Sequence, residues 1–302
     1  MKPKIGFKKF HYLFNETFKG FINDNILKLS AALSYYAIFS LPPLAIIATS
    51  FCGIYYGKAA ISGDLYAQIK GFVGDKAALQ IQELIKNVNL STHNVFARSI
   101  GIIILIIVAS GMFSEIQDSV DYIWSIKTKP KHGLRRFLVN HLMSFIMIGC
   151  AGLLLLTSVI AASVMDIQSE KLTIFYSQGT IDLYYGFNII LLFLFTTLFL
   201  FVIFKTLPDG KIGFRDCLIG ASFTAVLFMI GKFLIGAYFS NTTMDSAYST
   251  AGAVIIILAW VYYSAIILYF GAEFTKVYSN TYGGKIIPNK FTTLIKKTED
   301  NL

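Results

Sequence analysis

Six long apolar runs constrain this 302-residue chain more than any other feature. They lie near 29–56, 99–114, 139–165, 184–204, 218–239 and 251–275. A helix needs about 20 apolar residues to cross a hydrocarbon core of roughly 30 Å. Five runs meet that length, and the second, bracketed by Arg98 and Glu115, is short. Charged residues make up only 14% of the chain, against about 25% in an ordinary soluble domain. The mean hydropathy is +0.63. These features predict an all-α polytopic membrane protein with six transmembrane helices and amphipathic surface helices. The expected organisation is an amphipathic N-terminal segment over 1–28, a six-span membrane domain over 29–278 and a tail over 279–302.

A net charge of +9 could point to nucleic acid, but its distribution argues for topology. Lysines 2, 4, 8, 9, 19 and 28 precede the first run, and Lys127, Lys129, Lys131, Arg135 and Arg136 follow the second. Lys205, Lys211 and Arg215 follow the fourth, and Lys276, Lys285, Lys290, Lys296 and Lys297 follow the sixth. These four regions hold most of the 26 basic residues. Cytoplasmic loops are enriched in Lys and Arg, so both termini are expected in the cytoplasm and no nucleic-acid partner is expected. Cys52, Cys150 and Cys217 sit in or beside apolar runs, without a Cys-x-x-Cys pair, and read as small buried hydrophobes. A basic, polar start of about 28 residues before a long first run does not fit a cleavable signal peptide.

Along the N-terminal segment, Phe7, Phe10, Tyr12, Leu13, Phe14, Phe18 and Phe21 are interspersed with lysines. An amphipathic helix on the membrane surface and a helix packed under the bundle both fit. Pro42-Pro43 falls within the first run, where proline removes a backbone donor and kinks a helix. The kink can line a cavity or serve as a packing bend. Residues 58–98 form the longest outer segment, with Ala77, Ala78, Ile81, Leu84, Ile85 and Val88 at helical spacing. The second run is expected to continue as helix to Trp124. Ile116, Val120, Ile123 and Trp124 form its apolar stripe, Glu115, Asp118 and Asp121 another face, and Trp124 suits an interfacial anchor.

Enzymatic motifs are scarce. The four histidines, His11, His93, His132 and His141, form no metal-ligand spacing. No phosphate-binding Gly-Lys-Ser/Thr loop or Gly-x-Ser-x-Gly elbow occurs. No cofactor or metal is expected. The informative polar groups lie inside the spans. Lys232 is seven residues before Phe239, about 10 Å of helix. It can snorkel to the headgroups or hold an anionic group in a cavity, with Asn188, Ser158 or Asp166 at a matching depth. Glu273 and Glu115 place acid near the cytoplasmic ends, with Arg135, Arg136 and Lys205 as candidate ion-pair partners. A structural pair is the default reading and a proton- or cation-coupling site the sharper one. Ala31, Ala32, Ser34, Gly220, Gly231, Gly236 and Gly252 are small residues of the kind that let helices approach closely.

Three stretches together resemble the YihY/BrkB family of bacterial inner-membrane proteins. The first is Ala31-Ala32-Leu33-Ser34-Tyr35-Tyr36-Ala37-Ile38-Phe39-Ser40-Leu41-Pro42-Pro43. The second is Leu207-Pro208-Asp209 with a basic loop to Arg215 and Gly220-Ala221. The third runs from Gly252-Ala253-Val254 through Trp260-Val261-Tyr262-Tyr263 to Gly271-Ala272-Glu273. Tyr248-Ser249 stands where many members have Tyr-Gly. The resemblance implies an all-helical protein of the bacterial plasma membrane, but no settled mechanism. Family members have carried a ribonuclease label, for which no metal-ligand set or acid–base pair can be assembled here.

The leading expectation is a transporter or lipid-handling protein for an amphiphilic or anionic envelope component, with membrane lipids as partners. Lys232, Pro42, Pro43 and Asn188 are the candidate cavity residues. The rival is a non-transporting membrane scaffold, which would have a solid bundle core. A ribonuclease is the remote third.

Overall fold

The computed structural model describes residues 7–39, 79, 111–112, 114–128, 178–240, 244–289 and 292–294. The described chain is mostly helical. Helix α1 spans Phe7–Asn23, α2 is described over Ile26–Phe39, and α3 covers 114–123. Strand β1 is Ile126–Thr128, α4 is Gln178–Thr206, and β2 is Gly210–Lys211. Then come α5, Phe214–Ser240, α6, Met244–Tyr282, β3, Ile287–Pro288, and β4, Thr292–Leu294. Besides the expected helices, the described chain holds two short strand pairs. Strands β1 and β4 pair antiparallel with Lys127 opposite Thr293, and β2 and β3 pair antiparallel with Lys211 opposite Ile287.

Three helices are long and apolar enough to cross a membrane, at Ile189–Thr206, Phe214–Gly231 and Ile257–Tyr282. They correspond to the fourth, fifth and sixth apolar runs. On α4, Ile190, Leu194 and Leu198 recur every fourth residue and are more than half exposed. Val226, Ile230 and Leu234 repeat the spacing on α5 and are also exposed. Exposed aliphatic stripes at helical spacing suit hydrocarbon rather than water. Most of the first and second runs and the whole third run, with Pro42 and Pro43, lie outside the described residues.

Element boundaries follow local chemistry. Asn25 adopts φ 50° between α1 and α2, a left-handed conformation that Asn tolerates better than most residues. Its N–H donates to Ile22 O at 3.1 Å, and its carbonyl accepts from Lys28 N at 2.9 Å to begin α2. After α4, Pro208 follows Leu207 and supplies no donor to continue the helix. The first turn of α5 closes through Cys217 N to Gly213 O at 3.0 Å. Asp216 lies in that turn, where a carboxylate suits the positive end of the helix dipole. At the end of α6, Gly283 N and Lys285 N both donate to Ser279 O.

The chain divides into two compact units, and α1, α3, α5 and α6 contribute residues to both. The first unit contains residues 1–20, 121–229 and 271–302. Its core sets Leu13 against Phe274 and Tyr278, surrounded by Ile219, Phe223, Val277 and Tyr282. The Phe223 and Phe274 rings stack at 3.8 Å between centroids. In the second unit, residues 21–120 and 230–270, Ile26, Leu33, Ala37, Ile116 and Val120 are buried. There Gly111 lies against the Tyr36 ring.

Candidate functional site

Unit one concentrates the buried polar chemistry, built from segments distant in sequence. Asp216 is buried at the start of α5. Its Oδ2 accepts from Ser279 Oγ at 3.1 Å and from Gly284 N at 3.0 Å. Hydrogen bonds to a carboxylate are about twice as strong as neutral ones, so Asp216 ties the end of α6 to the start of α5. Only glycine fits at Gly283, since a Cβ there would overlap the same carboxylate. Asp121, buried at the end of α3, accepts from Asp209 N at 2.8 Å. The Asp209 carbonyl accepts from Asn289 N at 3.0 Å and Thr292 Oγ1 at 3.3 Å. Four segments of the chain thus meet around Asp121, Asp209 and Asp216.

Trp124 completes this knot. It is 2% exposed, and its indole N–H donates to Ala272 O at 3.0 Å. The expected interfacial anchor is therefore a buried tie between the end of α3 and α6. A buried indole needs such an acceptor. Asp121, on the acidic face of this helix, is buried as well, since the helix ends two residues later and the chain continues into β1.

Helices α5 and α6 meet along a seam of two matched motifs. Gly220 faces Thr275, and Gly271 faces Thr224, so an added Cβ at either glycine would overlap the threonine opposite. Each threonine hydroxyl donates within its own helix, Thr224 to Gly220 O at 2.7 Å and Thr275 to Gly271 O at 2.6 Å. Gly-x-x-x-Thr on one helix therefore docks antiparallel on Gly-x-x-x-Thr on the other. Small residues bring the backbones close, and the threonines bury no unsatisfied hydroxyl.

Beside the seam, Glu273 is 2% exposed and pairs with Lys276 at 2.9 Å along α6. Gly20 of α1 lies directly on its carboxylate, where a Cβ would collide. Lys205 instead donates from Nζ to the Ile212 carbonyl, closing the loop between α4 and α5. Glu273 pairs with Lys276, three residues along the same helix; of its expected partners, Arg135 and Arg136 lie outside the described residues. Cys217 is buried with Sγ directed to Phe201 O at 3.6 Å.

Asp121, Asp216 and Glu273 of this unit are buried, while several of its bases are exposed. Among the residues whose side chains are described, those both charged and exposed in unit one are Lys19, Lys127, Lys211, Arg215 and Lys285. Lys211 and Arg215 flank the start of α5, and Lys285 follows the end of α6. The result is a cationic rim at the ends of candidate membrane spans.

The second unit holds Glu115 on α3, which accepts from Ser119 Oγ at 3.4 Å. Burial, and secondarily the neighbouring Asp118 charge, push the Glu115 carboxyl above its ordinary 4.5. Tyr269 is fully buried beside the same two residues. Gly231 of α5 lies against the Tyr263 hydroxyl of α6. Among the described residues, no group of three or more His, Cys, Asp or Glu is arranged to hold a metal ion.

Residues 17–291 match the family described as virulence factor BrkB. The chain belongs to that family. A UPF0761 membrane protein of Saccharophagus degradans is 25% identical over 281 residues, covering 91% of this chain and 62% of that protein. One of Psychromonas ingrahamii is 25% identical over 261 residues, covering 83% of this chain and 82% of the relative. Another, of Pseudoalteromonas atlantica, is 24% identical over 259 residues. The chain thus spans less than two thirds of the Saccharophagus relative's length. These relatives are named as membrane proteins and carry no enzymatic name. No solved structure matches the chain.

Two BrkB-like motifs fall in the buried knot. Leu207-Pro208-Asp209 forms the turn that Asp121 grips, and Gly271-Ala272-Glu273 supplies the seam glycine, the Trp124 acceptor and the buried acid. Of the expected site residues, Lys232 lies on α5 and Asn188 on α4, with their side chains outside the described ones. Glu115 and Glu273 are on α3 and α6, and Lys205 is in the last turn of α4. Pro42, Pro43, Arg135 and Arg136 fall outside the described residues, as do Ser158 and Asp166. From the sequence, Asp209 stood out only as part of the family-like stretch, and Asp216 not at all. Their signal was an Asp-Gly turn after proline and an acid in the first turn of a helix.

Proposed function

We propose that this BrkB-family membrane protein moves or handles an anionic amphiphile of the bacterial envelope. The observation that carries the reading is the cationic rim of Lys127, Lys211, Arg215 and Lys285, whose neighbouring acids Asp121, Asp216 and Glu273 are buried. Exposed bases at the ends of spans attract anionic headgroups, and the buried acids Asp121, Asp216 and Glu273 face inward instead of opposing them at the surface. Lys232, on the same helix as Arg215, supplies a cation farther along the span for the headgroup to meet. In this reading the protein has six spans in the inner membrane, with both termini in the cytoplasm and its bases on the cytoplasmic side. The Pro42-Pro43 kink in the first span and Asn188 complete the candidate path.

Fluorescent phosphatidylglycerol in reconstituted vesicles tests this. The expected outcome is faster transfer between leaflets than in protein-free vesicles, reduced roughly tenfold by Lys232→Ala, the equivalent of about 1.4 kcal/mol. Equal rates with and without protein would remove the reading. One observation favours the scaffold alternative. The Gly220–Thr275 and Thr224–Gly271 contacts leave no room between α5 and α6 at that level, as a solid bundle requires.

A further inference from the structure

Tyr269 of α6 is fully buried in the second unit, and among the described residues its hydroxyl has no hydrogen-bond partner. Nearly all buried polar groups in folded proteins are paired, so an orphaned hydroxyl marks a place where a group is missing or is exchanged. Ser119 and Glu115 of α3 are the side chains that act on it. They stand four residues apart, on one face of their helix. The Ser119 hydroxyl is given to Glu115 Oε1 at 3.4 Å, a long bond between two oxygens. One carboxyl and two hydroxyls thus converge, joined by a single weak contact.

The setting favours an acid that can lose its charge. Ile116, Ser119 and Val120 on α3 are buried, as are Ala265 and Leu268 on α6. On its own helix, Glu115 meets the like charge of Asp118. From α6 it meets Tyr269, and α2 brings Tyr36 against Gly111, one turn before it. The remaining described acid of the unit is Asp24, buried between α1 and α2. Among the side chains described in this unit the one base is Lys28, which is exposed on α2. An ionised Glu115 therefore depends on hydroxyl donors, and those at hand are Ser119 and Tyr269. Glu115 itself is only partly buried, so its proton can exchange with water.

We propose that Glu115, Ser119 and Tyr269 form a proton-binding site: Glu115 holds the proton in the described arrangement, and on releasing it gathers both hydroxyls as donors to its carboxylate. In that step the carboxyl O–H bond breaks and the proton passes to water. Tyr269 and Ser119 keep their own protons and change only the acceptor they face. The orphaned hydroxyl is then accounted for, because its acceptor exists in the ionised state alone. The site stands whether or not the protein moves a lipid.

Infrared difference spectra of the full chain in nanodiscs, recorded as pH is raised, test this. The C=O stretch of a protonated carboxyl should persist above the pH at which ordinary carboxylates have ionised, and it should be missing in Glu115→Gln. Ring-labelled tyrosine should respond in the same pH step, and that response should vanish in Tyr269→Phe. Tyr269→Phe and Ser119→Ala each remove one donor to the ionised form, so each should move the step to higher pH. A purely structural Tyr269 would leave it in place. A carboxyl band unchanged in Glu115→Gln, or a step that both Tyr269→Phe and Ser119→Ala leave unmoved, overturns the site. Neither result touches the leaflet-transfer assay, so this proposal and the functional one fail separately.

Discussion

Asp216 joins two helix ends with one carboxylate oxygen, and Ser279 Oγ and Gly284 N both depend on it. Asp216→Ala leaves two donors without an acceptor, and each unsatisfied buried group costs about 1–3 kcal/mol. Thermal unfolding in detergent should show a loss in that range or above, with Asp216→Asn losing less because its amide oxygen still accepts. Equal stability of the three proteins would show that the knot does not depend on this oxygen. Glu115 carries the opposite kind of information. Its folded carboxyl holds a proton more tightly than an unfolded one, chiefly through burial. Stability should therefore fall as pH rises from the ordinary carboxylate value through the raised one. Glu115→Gln should flatten the part of the profile that lies above the ordinary carboxylate range, and an unchanged slope would count against the burial.

At the scale of elements, the α5–α6 seam rests on reciprocal fit. Gly271→Ala places a methyl into Thr224, and overpacking of a tight contact costs about 1–3 kcal/mol. Thr224→Gly on that background reopens the space, so the double variant should lose less than the two single losses added together. A coupling of about 0.5–3 kcal/mol is expected from unfolding measurements on the cycle. Strict additivity would mean that the helices do not touch there. The short strands are an element-level consequence of the same knot. Strand β2 can lie close because Gly210 has no side chain, where a Cβ would press on Ile126 and come within 3.3 Å of Trp124.

For the whole molecule, topology is the property most open to direct measurement. With the proposed even number of spans, reporter fusions at both termini should give cytoplasmic signals, and a fusion in the 58–98 segment should give the opposite one. A terminus on the other side would break the six-span count. The apolar runs of α4, α5 and α6 were legible in sequence because a lipid solvent requires a long continuous run of apolar residues. Their termini extend beyond the runs, as with α6 at Met244–Tyr282, because helix continues through polar residues when neighbouring segments supply contacts. The charge map was legible too, since exposed bases need no partner to be recognised.

Sequence alone determined the membrane class, the family resemblance and the segregation of basic residues, all of which are one-dimensional patterns of composition and order. Tertiary structure alone decided that Trp124 is buried, that Glu273 pairs with Lys276 under Gly20, and that Asp121, Asp209 and Asp216 bind the ends of the helices together. Each of those contacts except the Glu273–Lys276 pair joins residues tens to hundreds of positions apart or across separate elements. No local propensity specifies such pairings; they form because a buried carboxylate, indole or backbone N–H must find a partner when the chain closes around it.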